Sequence, residues 1–457
     1  MQEKKTVGTE LVRDARTLGV PRMILLGLQH LFAMFGATVL VPLITGLDVS
    51  TTLLMAGLGT LLFHFLTKGK VPAFLGSSFA YLGGYAAVAP FVNGEPNKEM
   101  LPYACGGVLV SGLVYILLAA LFKAFGIKRV MKFFPPVVTG SMIIAIGLTL
   151  APSAIDNCQT DWLLAVIAII LIVVCNIWGK GMIKIVPIMI GIVGSYIVAV
   201  CLGRVDFSAI AQKDIIALPI HTSAMAKFDV SAIITILPIA LATVMEHIGD
   251  ISAISATTGE NYIADPGLHR TLIGDGLATS LSAFFGGPAN TTYGENTGVL
   301  VLTKIFDPRV IRIAAFFAIG LSFFPVVSAV IETVPAAIVG GVSIILYGMI
   351  SAIGIRNFVE NKVDLTKSRN VIITAAMLGS AIGFKYSAAQ GISFTVAGAT
   401  VTFSGLAIAA IVGILLNAVL PGKEFVFEGG AEAADKTVSE NSGEKKAEKP
   451  SKKKKKH

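Results

Sequence analysis

Residues 286–298 read GGPANTTYGENTG, a polar stretch rich in Gly, Asn and Thr within an otherwise apolar part of the chain. A second stretch, PAFLGSSFAYLGG at 72–84, is interrupted by Gly and Pro in a similar way. Thr and Tyr followed by Gly favour a short extended segment that opens a helix. Neither stretch has the pattern of one continuous apolar helix. The surrounding sequence indicates which kind of protein the two stretches belong to.

The surrounding composition is that of a membrane protein. Of 457 residues, 54% are hydrophobic and 14% are charged, whereas a typical soluble domain has roughly a quarter of its residues charged. A helix that crosses the hydrocarbon layer needs about 20 mostly apolar residues. Windows of this kind recur along most of the chain, so the sequence predicts an all-α membrane protein with many spans.

The apolar segments divide into seven before and seven after a polar stretch at 204–229. They lie near 23–44, 51–66, 71–92, 104–125, 133–153, 162–178, 183–203, 231–253, 271–286, 288–303, 310–329, 334–355, 370–384 and 395–420. The predicted organisation is an N-terminal segment at 1–20, seven spans at 21–203, a linker at 204–229, seven spans at 230–420 and a disordered basic tail at 421–457.

Lys and Arg set the predicted orientation. They are concentrated in alternate connections such as 123–132 and 304–312, whereas 93–99 and 153–161 are poor in them. This distribution puts both termini in the cytoplasm and the linker outside. Because seven is odd, the second set of spans is then inverted relative to the first.

The two halves also share local patterns. Gln29-His30 in the first span is echoed by Glu246-His247 in the eighth, and both third segments are the interrupted stretches quoted above. Interrupted segments at matching positions of inverted repeats indicate the midplane binding site of a transporter. The sequence therefore predicts a site between 72–84 and 286–298.

Four acidic residues lie inside apolar segments, where a charge is costly and usually faces a cavity or a partner. They are Glu246, Asp250, Asp275 and Glu295. Glu246 and Asp250 are four residues apart on one helical face, and two close carboxylates form a plausible proton carrier. Asp275 is either a second coupling acid or a structural hydrogen-bonding group.

The interrupted stretches supply the other candidates. Glu295 follows Tyr293 and Gly294 at the predicted start of a half-helix, where backbone N–H groups are free to meet a ligand. Phe79 follows Ser78 in the first stretch and either packs in the core or stacks on a planar ligand. Supporting polar residues are expected at Gln29, His30, Ser78 and Asn296.

The remaining features point to neither nucleic acid, nor metal, nor enzyme chemistry. The net charge is +8, but the residues from Lys445 to the end contribute +7 of it, as expected of a solvated tail near anionic lipid. Cys105, Cys158, Cys175 and Cys201 have no metal-type or paired spacing and are expected to pack in the membrane. We expect no cofactor and no metal.

Five motifs resemble the nucleobase–ascorbate transporter family, also called nucleobase:cation symporter-2, and within it the bacterial members that carry uracil. They are Gln29-His30, GSSFAY at 76–81, EHIGD at 246–250, DPGLHR at 265–270 and NTTYGEN at 290–296. The resemblance extends from about residue 20 to residue 420. NTTYGEN after a GGP turn is specific, whereas EHIG alone is less so.

The resemblance implies fourteen spans in two inverted repeats, with spans 3 and 10 each opening on a short strand. Spans 1–4 and 8–11 would form a core domain, and spans 5–7 and 12–14 a gate domain. Carried over, Glu246 and Glu295 would hydrogen-bond uracil, Phe79 and Tyr293 would flank its ring, and the backbone at Gly294 would help bind it. A homodimer through the gate domains in the cell membrane is also implied.

The implied mechanism is proton symport by alternating access, with sodium the less favoured ion. One departure concerns Asp250, because uracil carriers of the family have His there and purine carriers are more often acidic. A xanthine or uric acid substrate is therefore the alternative. An anion carrier of similar architecture is a further alternative, but a pair of buried acids argues against it, and measured flux would exclude a non-transporting receptor.

Overall fold

The computed structural model describes residues 11–92, 94–130, 132–208, 210, 213–389, 391–396 and 399–422. The structure is mainly helical, in agreement with the predicted fold class. The predicted basic tail at 421–457 lies outside the described residues from 423 onward, as do residues 1–10 of the predicted N-terminal segment.

The helices before the linker follow the predicted apolar segments closely. They are α1 (Val20–Thr45), α2 (Val49–Leu66), α3 (Leu82–Val88), α4 (Leu101–Phe125), α5 (Ile127–Val130), α6 (Pro136–Cys158), α7 (Trp162–Trp178), α8 (Met182–Ile185) and α9 (Pro187–Cys201). A 3-10 turn at Phe79–Tyr81 leads directly into α3. The third predicted segment is thus a short helix preceded by non-helical chain.

The helices after the linker follow the same plan. They are α10 (Val230–Ile236), α11 (Ile239–Thr258), α12 (Leu268–Phe284), α13 (Gly294–Thr303), α14 (Pro308–Ser322), α15 (Pro325–Glu332), α16 (Ala336–Glu360), α17 (Ser368–Tyr386) and α18 (Gly405–Val419). Pro238 separates α10 from α11, and α14 and α15 are bent by 83° relative to one another. Proline removes a backbone donor and favours such breaks.

Two three-residue strands lie in the interrupted stretches and pair with each other. Strand β1 (Leu75–Ser77) runs antiparallel to β2 (Asn290–Thr292), with Gly76 opposite Thr291. The strands are anchored to the helices behind them. Leu75 N–H donates to Thr60 Oγ1 over 2.9 Å, and Asn290 Nδ2 donates to the carbonyl of Met55 over 3.0 Å.

The predicted apolar segment at 395–420 is not one continuous helix. Strands β3 (Gly391–Val396) and β4 (Ala399–Ser404) form an antiparallel pair before α18 begins at Gly405. The Phe394 and Phe403 rings stack across the pair at 5.4 Å. Hydropathy does not separate a short apolar strand from a helix, but alternating aromatic and β-branched residues favour the strand.

Among the described residues, six helices are long and apolar enough to cross a membrane, or seven if the bent pair α14–α15 counts as one span. The six include the windows of α1, α2, α4, α6 and α16, together with 230–258, which takes in α10 and α11. Helices α7, α9 and α18 are apolar but shorter, at 15 to 17 residues.

The helices pack in two groups that share part of their apolar core. In one group, α12 packs on α4 and α2, and α14 packs on α2 and α1. In the other, α16 packs on α6 and α7, α17 packs on α6 and α18, and α7 packs on α9. Glycines permit the closest approaches: a Cβ at Gly112 would lie 2.6 Å from the carbonyl oxygen of Gly276.

The N-terminal segment is held beneath the first helix group. Val12 forms a parallel bridge with Ile305, and Asp14 pairs with Arg309 at 2.9 Å.

A nearby cavity of about 480 Å³ is lined in part by the ion pairs Arg13–Glu260 and Lys70–Asp265. The side-chain hydrogen bond from Lys70 holds the pKa of Asp265 below its usual value. This cavity does not include the predicted site residues.

Candidate functional site

The paired strands bring Tyr293 onto Gly76. A Cβ at Gly76 would lie 2.5 Å from two ring carbons of Tyr293, so only glycine leaves room for the ring. Tyr293 Oη donates to the carbonyl of Ser77 over 2.8 Å and lies 3.4 Å from Thr38 Oγ1. Tyr293 is 4% exposed, and its ring is therefore fixed within the protein and largely covered.

Two helical N-termini lie at the two ends of the antiparallel strand pair. The 3-10 turn that begins at Phe79 follows β1, and α13 begins at Gly294 two residues after β2. Neither start has a side-chain cap. Uncapped N-termini present free backbone N–H groups and the positive end of the helix dipole. The arrangement suits a ligand that offers hydrogen-bond acceptors.

Helix α11 runs beside this strand pair and brings the predicted acids to it. It packs against α13, β2 and the turn at Phe79–Tyr81. Thr292 Oγ1 donates to Asp250 Oδ2 over 2.7 Å. Glu246 lies on α11 one turn before Asp250, and Glu295 lies in the first turn of α13. Three of the predicted acids, Glu246, Asp250 and Glu295, thus lie on two helices that pack against each other, α11 and α13.

Gly249 of α11 and Gly294 of α13 are both exposed, and we call the surface around these two glycines the open region. A Cβ at Gly249 or at Gly294 would meet no heavy atom within 4 Å. Asp250 and Glu295 are adjacent to these glycines in sequence, Glu246 is three residues before Gly249, and each acid is only partly buried. Partly exposed carboxylates therefore lie close to the N-terminus of α13.

Phe79 lies at the edge of this region. Its side chain is partly buried and packs against two hydrophobic clusters, one of which contains Tyr81 and the other Tyr293. Both roles predicted for Phe79, core packing and stacking on a planar ligand, remain compatible with this position.

The supporting residues separate into two kinds. Asn296 Nδ2 lies 3.1 Å from both Nδ1 and the carbonyl oxygen of His30, which ties α13 to α1. Gln29 Oε1 and Ser78 Oγ are buried, and neither has a hydrogen-bond partner among the described residues. Buried polar atoms without partners are uncommon, so both are available to a water or a ligand.

Asp275 lies behind the open region rather than in it. Its Oδ2 is 3.0 Å from His247 Nδ1, and both side chains are fully buried. The geometry is that of a buried pair between α12 and α11. Both roles predicted for Asp275, a second coupling acid and a structural hydrogen-bonding group, stay predictions.

Sequence reasoning missed several residues of the site. Thr292 and Thr38 hydrogen-bond Asp250 and Tyr293 respectively, and His247 pairs with Asp275. Thr292 precedes Tyr293 in the stretch at 286–298, and His247 follows Glu246. Their position next to predicted site residues could have identified them as members of the site. Nothing in the local sequence singles out Thr38.

Comparison with known proteins shows which family the chain resembles in sequence. A sequence model of the permease family Xan_ur_permease matches residues 21–389. The uracil permease of Bacillus caldolyticus is 39% identical over 425 residues, which are 90% of this chain and 94% of the relative. A probable uracil permease of Haemophilus influenzae is 40% identical over 404 residues, 86% of this chain and 93% of the relative.

A solved structure shares the fold at low sequence identity. The transmembrane domain of the cyanobacterial bicarbonate transporter BicA aligns with a TM-score of 0.58 and 15% identity, over 89% of this chain and 99% of that domain.

A permease with several long apolar helices is a multi-pass membrane protein, and permeases are transporters, not enzymes. The chain therefore belongs to the Xan_ur_permease family of permeases, the nucleobase:cation symporter-2 family.

Proposed function

We propose that this permease imports uracil by proton symport, with the base held between α11 and α13. The observation that carries the proposal is the position of Glu246 on α11 and of Glu295 in the first turn of α13, because these two helices pack against each other. The substrate follows from the relatives, which are named uracil permeases and match most of the chain.

The chemistry of the region suits a pyrimidine edge. Uracil alternates N–H donors and carbonyl acceptors, so it needs carboxylates on one side and N–H donors on the other. Glu246 and Glu295 supply the acceptors, and the uncapped backbone at Phe79 and Gly294 supplies the donors. Phe79 and Tyr293 flank the ring, as the family resemblance implies.

The proton is carried by the Glu246 and Asp250 pair on α11. Two carboxylates one helical turn apart resist ionising together, so one of them holds a proton when the substrate enters from outside. Substrate and proton then leave to the cytoplasm. Thr292 connects this pair to β2 and hence to α13, which links protonation to the substrate-binding element.

The conformational cycle uses the two helix groups. The group with α1–α4 and α10–α15 holds the substrate and moves against the group with α6–α9 and α16–α18. We propose fourteen spans in two inverted repeats, joined by the external linker at 204–229, in the cell membrane with both termini cytoplasmic. A homodimer would form through the second group.

A purine such as xanthine or uric acid is the second candidate substrate. The observation in its favour is Asp250, an acid where uracil carriers of the family have His, held in place by Thr292. An anion substrate is less suitable, because Glu246, Asp250 and Glu295 surround the open region. The likeness to a bicarbonate transporter concerns the fold alone.

Uptake of labelled uracil in cells that lack their own uracil permease tests the proposal. Unlabelled uracil, xanthine and uric acid serve as competitors, and cells with an empty vector give the background. We expect uptake that only uracil blocks. Uptake of labelled xanthine or uric acid without uracil uptake would replace the pyrimidine assignment with the purine one.

A further inference from the structure

We infer that His247 is a positioning residue, which fixes the rotation of α11 through its buried pair with Asp275 and so points Glu246 and Asp250 into the open region. The inference rests on the proposed role of these two acids. It assigns His247 no contact with the substrate.

Helix α11 has two different faces. On one face Thr243, His247, Ile251 and Ile254 recur at helical spacing and are fully buried. On the other face Gly249 and Ala253 are exposed, and the partly buried acids lie beside them. Successive residues of an α-helix are about 100° apart, so His247 points away from Glu246 by about a quarter of a turn.

The partner of His247 belongs to a closely packed part of the protein. Asp275 lies on α12, which packs closely on α4 and α2. Gly274 beside it leaves space for Phe63 of α2, whose ring meets the His247 ring edge-on with centroids 6.3 Å apart. His247 is therefore held on two sides, by Asp275 and by Phe63.

Other groups also face the pair. Tyr81 Oη lies 3.4 Å from Thr243 Oγ1, one turn before His247, and Tyr81 and Tyr115 are buried tyrosines on elements that pack against α11. Glu246 is the further charged neighbour. A buried carboxylate needs a partner, and His247 is the side chain at 3.0 Å. Loss of that partner frees α11 to turn.

A thiol-labelling experiment measures the rotation directly. Cys105, Cys158, Cys175 and Cys201 are first replaced, and a single cysteine is introduced as Ala253→Cys on the exposed face or Ile254→Cys on the buried face. A membrane-permeant maleimide is the probe. With His247 present, we expect Ala253→Cys to react and Ile254→Cys to be protected.

The same labelling is then repeated with changes to the pair. His247→Ala is expected to let Ile254→Cys react at a rate close to that of Ala253→Cys, whereas His247→Gln, which places an amide donor next to Asp275, is expected to preserve protection. Asp275→Ala and Asp275→Asn should reproduce this contrast if His247→Ala does not accumulate. Unchanged protection in both alanine variants would overturn the inference.

Transport gives the second readout. A positioning role predicts that His247→Gln keeps the pH profile of uracil uptake, while His247→Ala raises KM about tenfold or more. Loss of the pH dependence in His247→Gln would instead make His247 a proton carrier and contradict the inference. The labelling result does not depend on the substrate, so it stands apart from any failure of the uracil assignment.

Discussion

Thr292 Oγ1 donates a 2.7 Å hydrogen bond to Asp250 Oδ2, and this contact joins α11 to the strand that leads into α13. Asp250 is one turn from Glu246, and Thr292 is three residues before Glu295. The contact therefore connects the elements that carry the two proposed substrate carboxylates. We propose that a change in the charge or position of Asp250 reaches the start of α13 through this hydroxyl group.

Removal of that hydroxyl group tests the connection. Thr292→Val keeps the shape but loses the donor, and we expect uracil uptake to fall about tenfold or more, since a hydrogen bond to a charged group contributes about 1.5–3 kcal/mol. Thr292→Ser keeps the hydroxyl group and should retain most activity. Equal uptake by the Val and Ser variants, at matched membrane abundance, would show that the hydrogen bond is not needed.

Neutralising either proposed substrate carboxylate should abolish high-affinity binding. Glu246→Gln and Glu295→Gln keep the size but replace an acceptor oxygen by a donor, and each should weaken uracil binding by about 10- to 100-fold. Glu360→Gln is the control, because Glu360 is exposed and pairs only one turn away with Arg356. The measurement is the initial uptake rate over a range of uracil concentrations.

Asp250→Asn separates coupling from binding. With a proton-coupled carrier, an acidic exterior should drive uracil into vesicles above its external concentration, and uptake should fall as the external pH rises. Asp250→Asn cannot release a proton at this position, so we expect it to exchange uracil without accumulating it. Accumulation by this variant equal to that of the native chain would exclude Asp250 from the coupling.

Gly76→Ala should destabilise the strand crossing. The new methyl group would lie 2.5 Å from the Tyr293 ring and 2.7 Å from Thr38 Oγ1, and overpacking of this kind typically costs about 1–3 kcal/mol. Gly249→Ala is the matched control, because its methyl group meets no heavy atom within 4 Å. Thermal unfolding in detergent compares the two, and a Gly76→Ala variant as stable as Gly249→Ala contradicts the packing.

Gly294→Ala should weaken uracil binding without lowering the stability of the folded protein, whereas Gly76→Ala should lower stability. A Cβ at Gly294 meets no heavy atom within 4 Å, so the folded protein accommodates it. If uracil approaches the backbone here, the methyl group should raise KM while the melting temperature stays unchanged. Gly379→Ala on α17, which is equally unobstructed, is the control. Unchanged KM for both variants would place the base elsewhere.

Much of the fold could be predicted from hydropathy, because each long apolar window forms at least part of a helix. The windows at 23–44 and 104–125 became α1 and α4 with ends within three residues. The β3–β4 pair was missed, since its apolar residues look alike to a hydropathy count whether the chain is extended or helical. The number of spans stays a prediction, because several windows form short or broken helices.

The sequence predicted which residues belong to the candidate site, but it did not predict which of them contact one another. Charges within apolar windows singled out Glu246, Asp250 and Glu295 on energetic grounds. The pairing of Asp250 with Thr292, and of His247 with Asp275, depends on how α11 is turned against its neighbours. Helix rotation is set by tertiary packing, so a single sequence does not specify it.

Equilibrium binding of labelled uracil to the purified protein tests the central claim most directly. We expect saturable binding that unlabelled uracil displaces and that xanthine and uric acid do not, with binding lost in both Glu246→Gln and Glu295→Gln but retained in Glu360→Gln. Native uracil affinity in both glutamine variants, or displacement by xanthine in place of uracil, would contradict the account.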